Sequence, residues 1–143
     1  ATIGPHPQYP DKCLHSHYRH MTNKNGEICV GSYCPSDEDY IDGYVKPLYR
    51  IVALAEPEFI WIDDDMRYGH YPIGYGCFCD GCVEKFNRDY GFSYSRKTLV
   101  SSLADENNID LRRKWLHHQS EKIRGVLSAA ADTVYSINNS IKR

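Results

Sequence analysis

Three thiols fall within six residues in Cys77-x-Cys79-x-x-Cys82. Cys77 and Cys79 are too close for an easy disulfide, but one turn can aim both at a single ion. Thiolates are the commonest ligands of structural zinc, which takes four of them in a tetrahedron. The fourth must come from elsewhere in the chain, and Cys34, in the pair Cys34-Pro35, is the expected donor. Four thiolates would close the coordination sphere, so such a zinc is structural rather than catalytic. The cysteines total six, an even number, so a disulfide framework stays open beside the zinc reading. Cys13 and Cys29 are left over, as buried thiols or as a pair. Cys13, His15, His17 and His20 make a weaker second metal set, whose histidines read more simply as polar loop residues.

A second constellation is Asp63-Asp64-Asp65, directly after the apolar run Phe59-Ile60-Trp61-Ile62. Carboxylates at the end of a buried strand are costly unless solvated, paired or used. In α/β folds that end is where ligands bind. Along an extended chain Asp63 and Asp65 share one side and Asp64 takes the other. They either do acid chemistry or pair with Arg67 to shape the loop. Arg67, His70 and Tyr75 are the candidate substrate contacts in the loop that follows, or they merely decorate it.

The elements that would position these groups can be read in order. Residues 1–34, rich in Pro, His, Gly and Asn, read as a long loop with a turn at Asn23-Lys24-Asn25-Gly26 and a short strand over 27–30. A helix follows the acidic start at 35–39, with Ile41, Tyr44, Val45, Leu48, Ile51 and Val52 as its apolar stripe and Pro57 as its stop. The unalternating run 59–62 predicts a strand buried on both faces, as in a parallel sheet. Asp80 is the expected cap of a helix closed by Gly91, and Ser95 starts another. The last helix is predicted over 109–136, with a stripe of Leu111, Trp115, Leu116, Ile123, Val126, Leu127, Ala130, Val134 and Ile137. One parallel strand presents two unpaired edges. Either the chain is part of something larger, or it is an α-rich fold in which 59–62 is no strand; the expectation is the first, an α/β chain, helix-rich with few parallel strands, that forms a single segment (residues 1–143) of a larger fold. Its parts are a loop region at 1–34, a helix, strand, zinc loop and helix at 35–91, and helices at 92–143.

Composition narrows the function classes. Of 143 residues, 41% are hydrophobic and 25% charged, as in soluble globular domains. A formal charge of −2 offers no basic stripe for phosphates, so no nucleic-acid partner is expected. No apolar run reaches the roughly 20 residues that span a bilayer, so no membrane partner is expected either. The first residues carry no signal-peptide pattern. The expected compartment is the cytoplasm, with secretion open because a removed leader leaves no trace. Twelve tyrosines suit either a core edge or a wet, sugar-binding surface.

The run Phe59-Ile-Trp-Ile-Asp-Asp-Asp-Met66, then Gly76-Cys-Phe-Cys-Asp-Gly-Cys-Val-Glu-Lys-Phe86 and Tyr90-Gly91, resembles family 42 glycoside hydrolases, the β-galactosidase-like TIM barrels. In that family a strand ends in Ile-Asp-Asn-Glu, a Cys-x-Cys-x-x-Cys loop follows, and an upstream Cys-Pro completes a zinc site. The likeness covers about residues 20–95. It implies a partial (β/α)8 barrel in which 59–62 is the fourth strand, with structural zinc on Cys34, Cys77, Cys79 and Cys82. Asp63 falls on the family's Asp, Asp64 on its Asn, and Asp65 on its acid/base Glu. Asp65 is thus the candidate general acid/base, held protonated by the neighbouring Asp63. The chain departs from the family in being one methylene shorter at 65 and charged at 64. Retaining hydrolysis needs a second carboxyl about 5–5.5 Å from the first, which the family takes from a late strand. Glu84, Glu121 and Asp132 lie on predicted helices and offer no nucleophile. The resemblance therefore implies a glycoside hydrolase fragment acting on β-linked sugars and inactive alone. Its partners would be a carbohydrate and the remainder of the barrel, or a second copy through its strand edges. The competing class is a non-catalytic zinc-stapled module that binds carbohydrate or protein.

Overall fold

The computed structural model describes residues 17–62, 68 and 74–142. Strands β1 (His20–Thr22) and β2 (Ile28–Tyr33) pair antiparallel, with Met21 opposite Cys29 and Thr22 opposite Ile28. The turn between them is the one the sequence predicts. Asn23 Oδ1 accepts the backbone N–H of Asn25 (2.9 Å) and of Glu27 (3.0 Å), and Gly26 takes a positive φ of 91°. A hairpin therefore occupies much of the segment read as loop, because the strand expected at 27–30 finds a partner in His20–Thr22.

A continuous helical run follows, as α1 (Glu38–Tyr40), a π-helical turn (Ile41–Val45) and α2 (Lys46–Leu54). The π turn precedes Pro47, which lacks an N–H and whose ring crowds the carbonyl four residues back. The run ends with Glu56 at a φ of 51°, directly before Pro57. Helix α3 (Asp80–Tyr90) closes on Gly91 in the left-handed conformation (φ 69°). Its N-cap is Cys79, with Asp80 inside the first turn, one residue away from the cap the sequence suggested. Helix α4 (Arg96–Ala104) opens with a capping box formed by Ser95 and Thr98.

Helix α5 (Ile109–Ile137) is the organising element. Leu111 and Trp115 join Phe78, Val83, Phe86 and Leu99, while Val126 and Ala130 join a tyrosine cluster of Tyr18, Tyr33 and Tyr40. Val134 packs with Ala53 and Ile141. No described helix is long and apolar enough to cross a membrane.

The described residues are helix-rich, compatible with an α/β class, and their only two-stranded sheet is antiparallel. The run 59–62 is not the doubly buried strand expected from its composition. It makes one parallel bridge, Phe59 to Lys142, with Ile60 N–H donating to the Lys142 carbonyl (3.2 Å) and Lys142 N–H to that of Glu58 (3.1 Å). Trp61 is 82% exposed and Phe59 61%. An apolar strand is buried only as far as its neighbours reach, and here the neighbour is a single turn of extended chain. Ile51 and Leu116, placed on apolar stripes by periodicity, are also exposed.

Candidate metal centre

The hairpin and α3 bring four thiols to one point. Cys34 leaves β2, and its N–H donates to the Arg19 carbonyl at 2.7 Å, prolonging the antiparallel ladder by a rung. Its own carbonyl accepts the Asp37 N–H (3.0 Å) in the turn that starts α1. The Asp37 carboxylate engages the Arg19 N–H (2.7 Å) rather than capping the helix. Cys79 and Cys82 flank the start of α3, where Cys82 N–H donates to the Cys79 carbonyl (2.9 Å) and turns both side chains inward.

The 75–79 segment carrying the other thiols is held on every side. Phe78 N–H donates to the Thr22 carbonyl of β1 (2.8 Å), and the Phe78 carbonyl accepts Arg96 Nε–H (2.7 Å). Cys77 N–H donates to Gln119 Oε1 (3.1 Å), and Trp115 Nε1–H to the Tyr75 carbonyl (2.9 Å). Gly76 has a φ of 128°, and a Cβ there would lie 2.5 Å from Gln119 Cγ. Only glycine lets the loop press this closely on α5.

All four thiols are buried, and their sulfurs lie within 4.8 Å of one another. Cys34 Sγ is 3.4 Å from Cys82 Sγ and 3.8 Å from Cys79 Sγ. Four sulfurs around one ion at about 2.3 Å stand about 3.8 Å apart, whereas a disulfide needs about 2.05 Å. The described cysteines are free thiols. The spacing fits a tetrathiolate site for a metal ion and excludes a disulfide framework among these four.

The thiols divide electrostatically. Hydrogen bonds from Cys34, then Cys77 and Cys79, drive the Cys82 thiol far below its ordinary range, and bonds from Cys34 and Cys77 lower Cys79. Cys34 is raised by its bonds with Cys77, Cys79 and Cys82. At Cys77 the Cys34 contact pulls down, but Cys79, Cys82 and burial carry the balance upward. Metal binding would require all four thiols to give up their protons.

Behind the site, α5 buries His118, Gln119 and Lys122. These three were missed by a search for apolar stripes. They occupy the inward positions between Trp115 and Val126 at helical spacing, so the signal was a polar gap in an otherwise apolar face. His118 Nδ1 faces Asp89 Oδ2 at 3.4 Å, and burial first, then Lys122, push its pKa down to about 4.

The other expected site residues part company with this centre. Asp63, Asp64, Asp65, Arg67 and His70 lie outside the described residues, as do Cys13 and His15. Tyr75 is 74% exposed and contributes its carbonyl to Trp115. Cys29 is half-buried and packs with Tyr68 against the thiol cluster. The His20 ring packs at a tilt of 41° against Tyr33, with 5.0 Å between ring centroids, and among the described residues no second metal-binding group accompanies it.

Compared with protein-family models, with curated proteins and with solved structures, the chain matches none.

Proposed function

We propose that the chain is the segment of a family 42-like glycoside hydrolase that carries the acid/base strand end and the zinc staple bracing it. The observation that carries this reading is the meeting of Cys34 with Cys77, Cys79 and Cys82, separated by more than forty residues of chain, in one buried site. The same Cys-Pro and Cys-x-Cys-x-x-Cys elements build the zinc site in that family.

In this reading zinc ties the loop after the strand to the start of α1 and takes no part in the chemistry. Asp65 would protonate the leaving oxygen of a β-linked sugar, with Asp63 and Asp64 beside it and Arg67, His70 and Tyr75 lining the site. The second carboxylate would come from another part of the barrel, so the segment alone does not turn over. The exposed Phe59 and Trp61 would lie against the remaining strands of the parent, or against a second copy.

Native mass spectrometry and a galactosidase assay test both halves. One zinc per chain, with four thiols protected until chelation, is expected. A longer parent should release phenol from an aryl β-galactoside and lose that activity on Asp65→Asn. A metal-free chain, or turnover indifferent to Asp65→Asn, would sink the proposal. Aspartate in place of the family's glutamate at 65 favours a second reading, a non-catalytic zinc-stapled module that binds carbohydrate or protein. That module would bind zinc and show no turnover in any longer form.

A further inference from the structure

Lys122 lies on α5 with 6% of its surface exposed, and its ammonium has no hydrogen-bond partner. A buried ammonium is unfavourable by several kcal/mol unless an anion faces it. Of the carboxylates that line the same cleft, Asp89 pairs with His118 and Lys85, Glu121 with Arg124, and Asp37 with Arg19, while Glu38, Asp39 and Glu84 make no ion pair with Lys122. The Lys122 Nζ instead lies 5.6 Å from the centroid of the Trp115 ring. That ring is fixed in turn by its bond to the Tyr75 carbonyl. Three residues before Lys122, Gln119 holds the Cys77 amide. This face of α5 therefore meets the thiol loop directly. Four thiolates around a divalent ion leave a buried excess of two negative charges. On the hairpin side, the Arg19 guanidinium lies over Gly81, where a Cβ would sit 2.4 Å from its Nη1. On the α5 side the cation is Lys122.

We infer that Lys122 is the buried counter-charge of the tetrathiolate site and a positioning residue for its metal. The inference rests on the metal-site reading above. It explains why a lysine stands in the apolar stripe between Trp115 and Val126. It also makes α5 part of the metal site rather than only its backing.

The test loads the full chain with Zn²⁺ and, separately, with Co²⁺. Lys122→Met keeps the stem that packs on Trp115 and removes the charge. Its apparent zinc affinity in chelator competition should fall about 10- to 100-fold. In the cobalt form, the thiolate-to-metal charge-transfer bands should move to longer wavelength, because a thiolate electron is held less tightly without the adjacent cation. Unchanged affinity would overturn the inference. So would weaker binding with unshifted bands, which would mean that Lys122 only fills space. If Lys122→Met does not fold, Lys122→Gln carries the same comparison. A wild-type chain that takes up neither ion overturns the metal-site reading itself, and is told apart by showing no bands at all.

Discussion

Two regions of this molecule invert the usual relation between polarity and burial. Around the thiol site, Cys34, Cys77 and Cys82 are fully buried, and His118, Gln119 and Lys122 lie behind them nearly as deep. Along the 59–62 run, by contrast, Trp61 and Phe59 stand largely in solvent. The difference lies in partners rather than in residue type. At the thiol site the sulfurs lie against one another, Gln119 Oε1 holds the Cys77 N–H and His118 faces Asp89. That run has a single bridge to Lys142 and an open groove of about 550 Å³ lined by Tyr49, Trp61 and Val134. Burial here follows the supply of matching surface.

The sharpest way to break this comparison is to remove a ligand. Binding of structural zinc is worth about 10–16 kcal/mol in small peptides and appears as folding free energy. Cys79→Ser should abolish metal binding and unfold the hairpin and 75–79 segment, read by hydrogen exchange. An unchanged exchange pattern would mean that packing alone holds the thiol side together. Acid comes next. His118 is held at about 4 against an ordinary 6.5, so between these values the unfolded chain binds more protons. Stability should rise with pH across that window and fall as pH drops through it, by up to about 3 kcal/mol. Denaturant titrations should show a flatter profile for His118→Gln, and an identical slope would remove His118 from the account.

Gly76→Ala tests the closeness of loop and helix. Strain at its φ costs about 1–3 kcal/mol, and the new methyl collides with Gln119, so the denaturation midpoint should fall while metal is retained. The smallest effect is expected on the other side. Trp61→Ser should change stability by less than about 0.5 kcal/mol, since the ring has little to lose on exposure. The same substitution should weaken association with the rest of a barrel or with a second copy, measured by sedimentation. A large stability loss would show that this strand is packed after all and would dissolve the contrast.

The residue types that make the centre were visible in the sequence. Cys77-x-Cys79-x-x-Cys82 declares a thiol cluster by spacing alone, and Cys34-Pro35 could be named as its complement. Helices were legible from period and caps, as at Ser95 and Gly91. The hairpin was half seen, because its turn is written in Asn23 to Gly26 while its first strand is too short to carry a pattern. The π turn before Pro47 follows from that proline, but its position depends on how the helix packs.

The sequence by itself determined the set of thiol donors and the long amphipathic last helix. These are local properties, fixed by side-chain type and short-range spacing. Only the tertiary structure decided that Cys34 reaches the other three thiols, that His118, Gln119 and Lys122 turn inward behind them, and that the most apolar run lies exposed. Those outcomes depend on contacts between residues tens of positions apart. A helix period can say that position 122 faces inward, but not which distant parts of the chain meet that face.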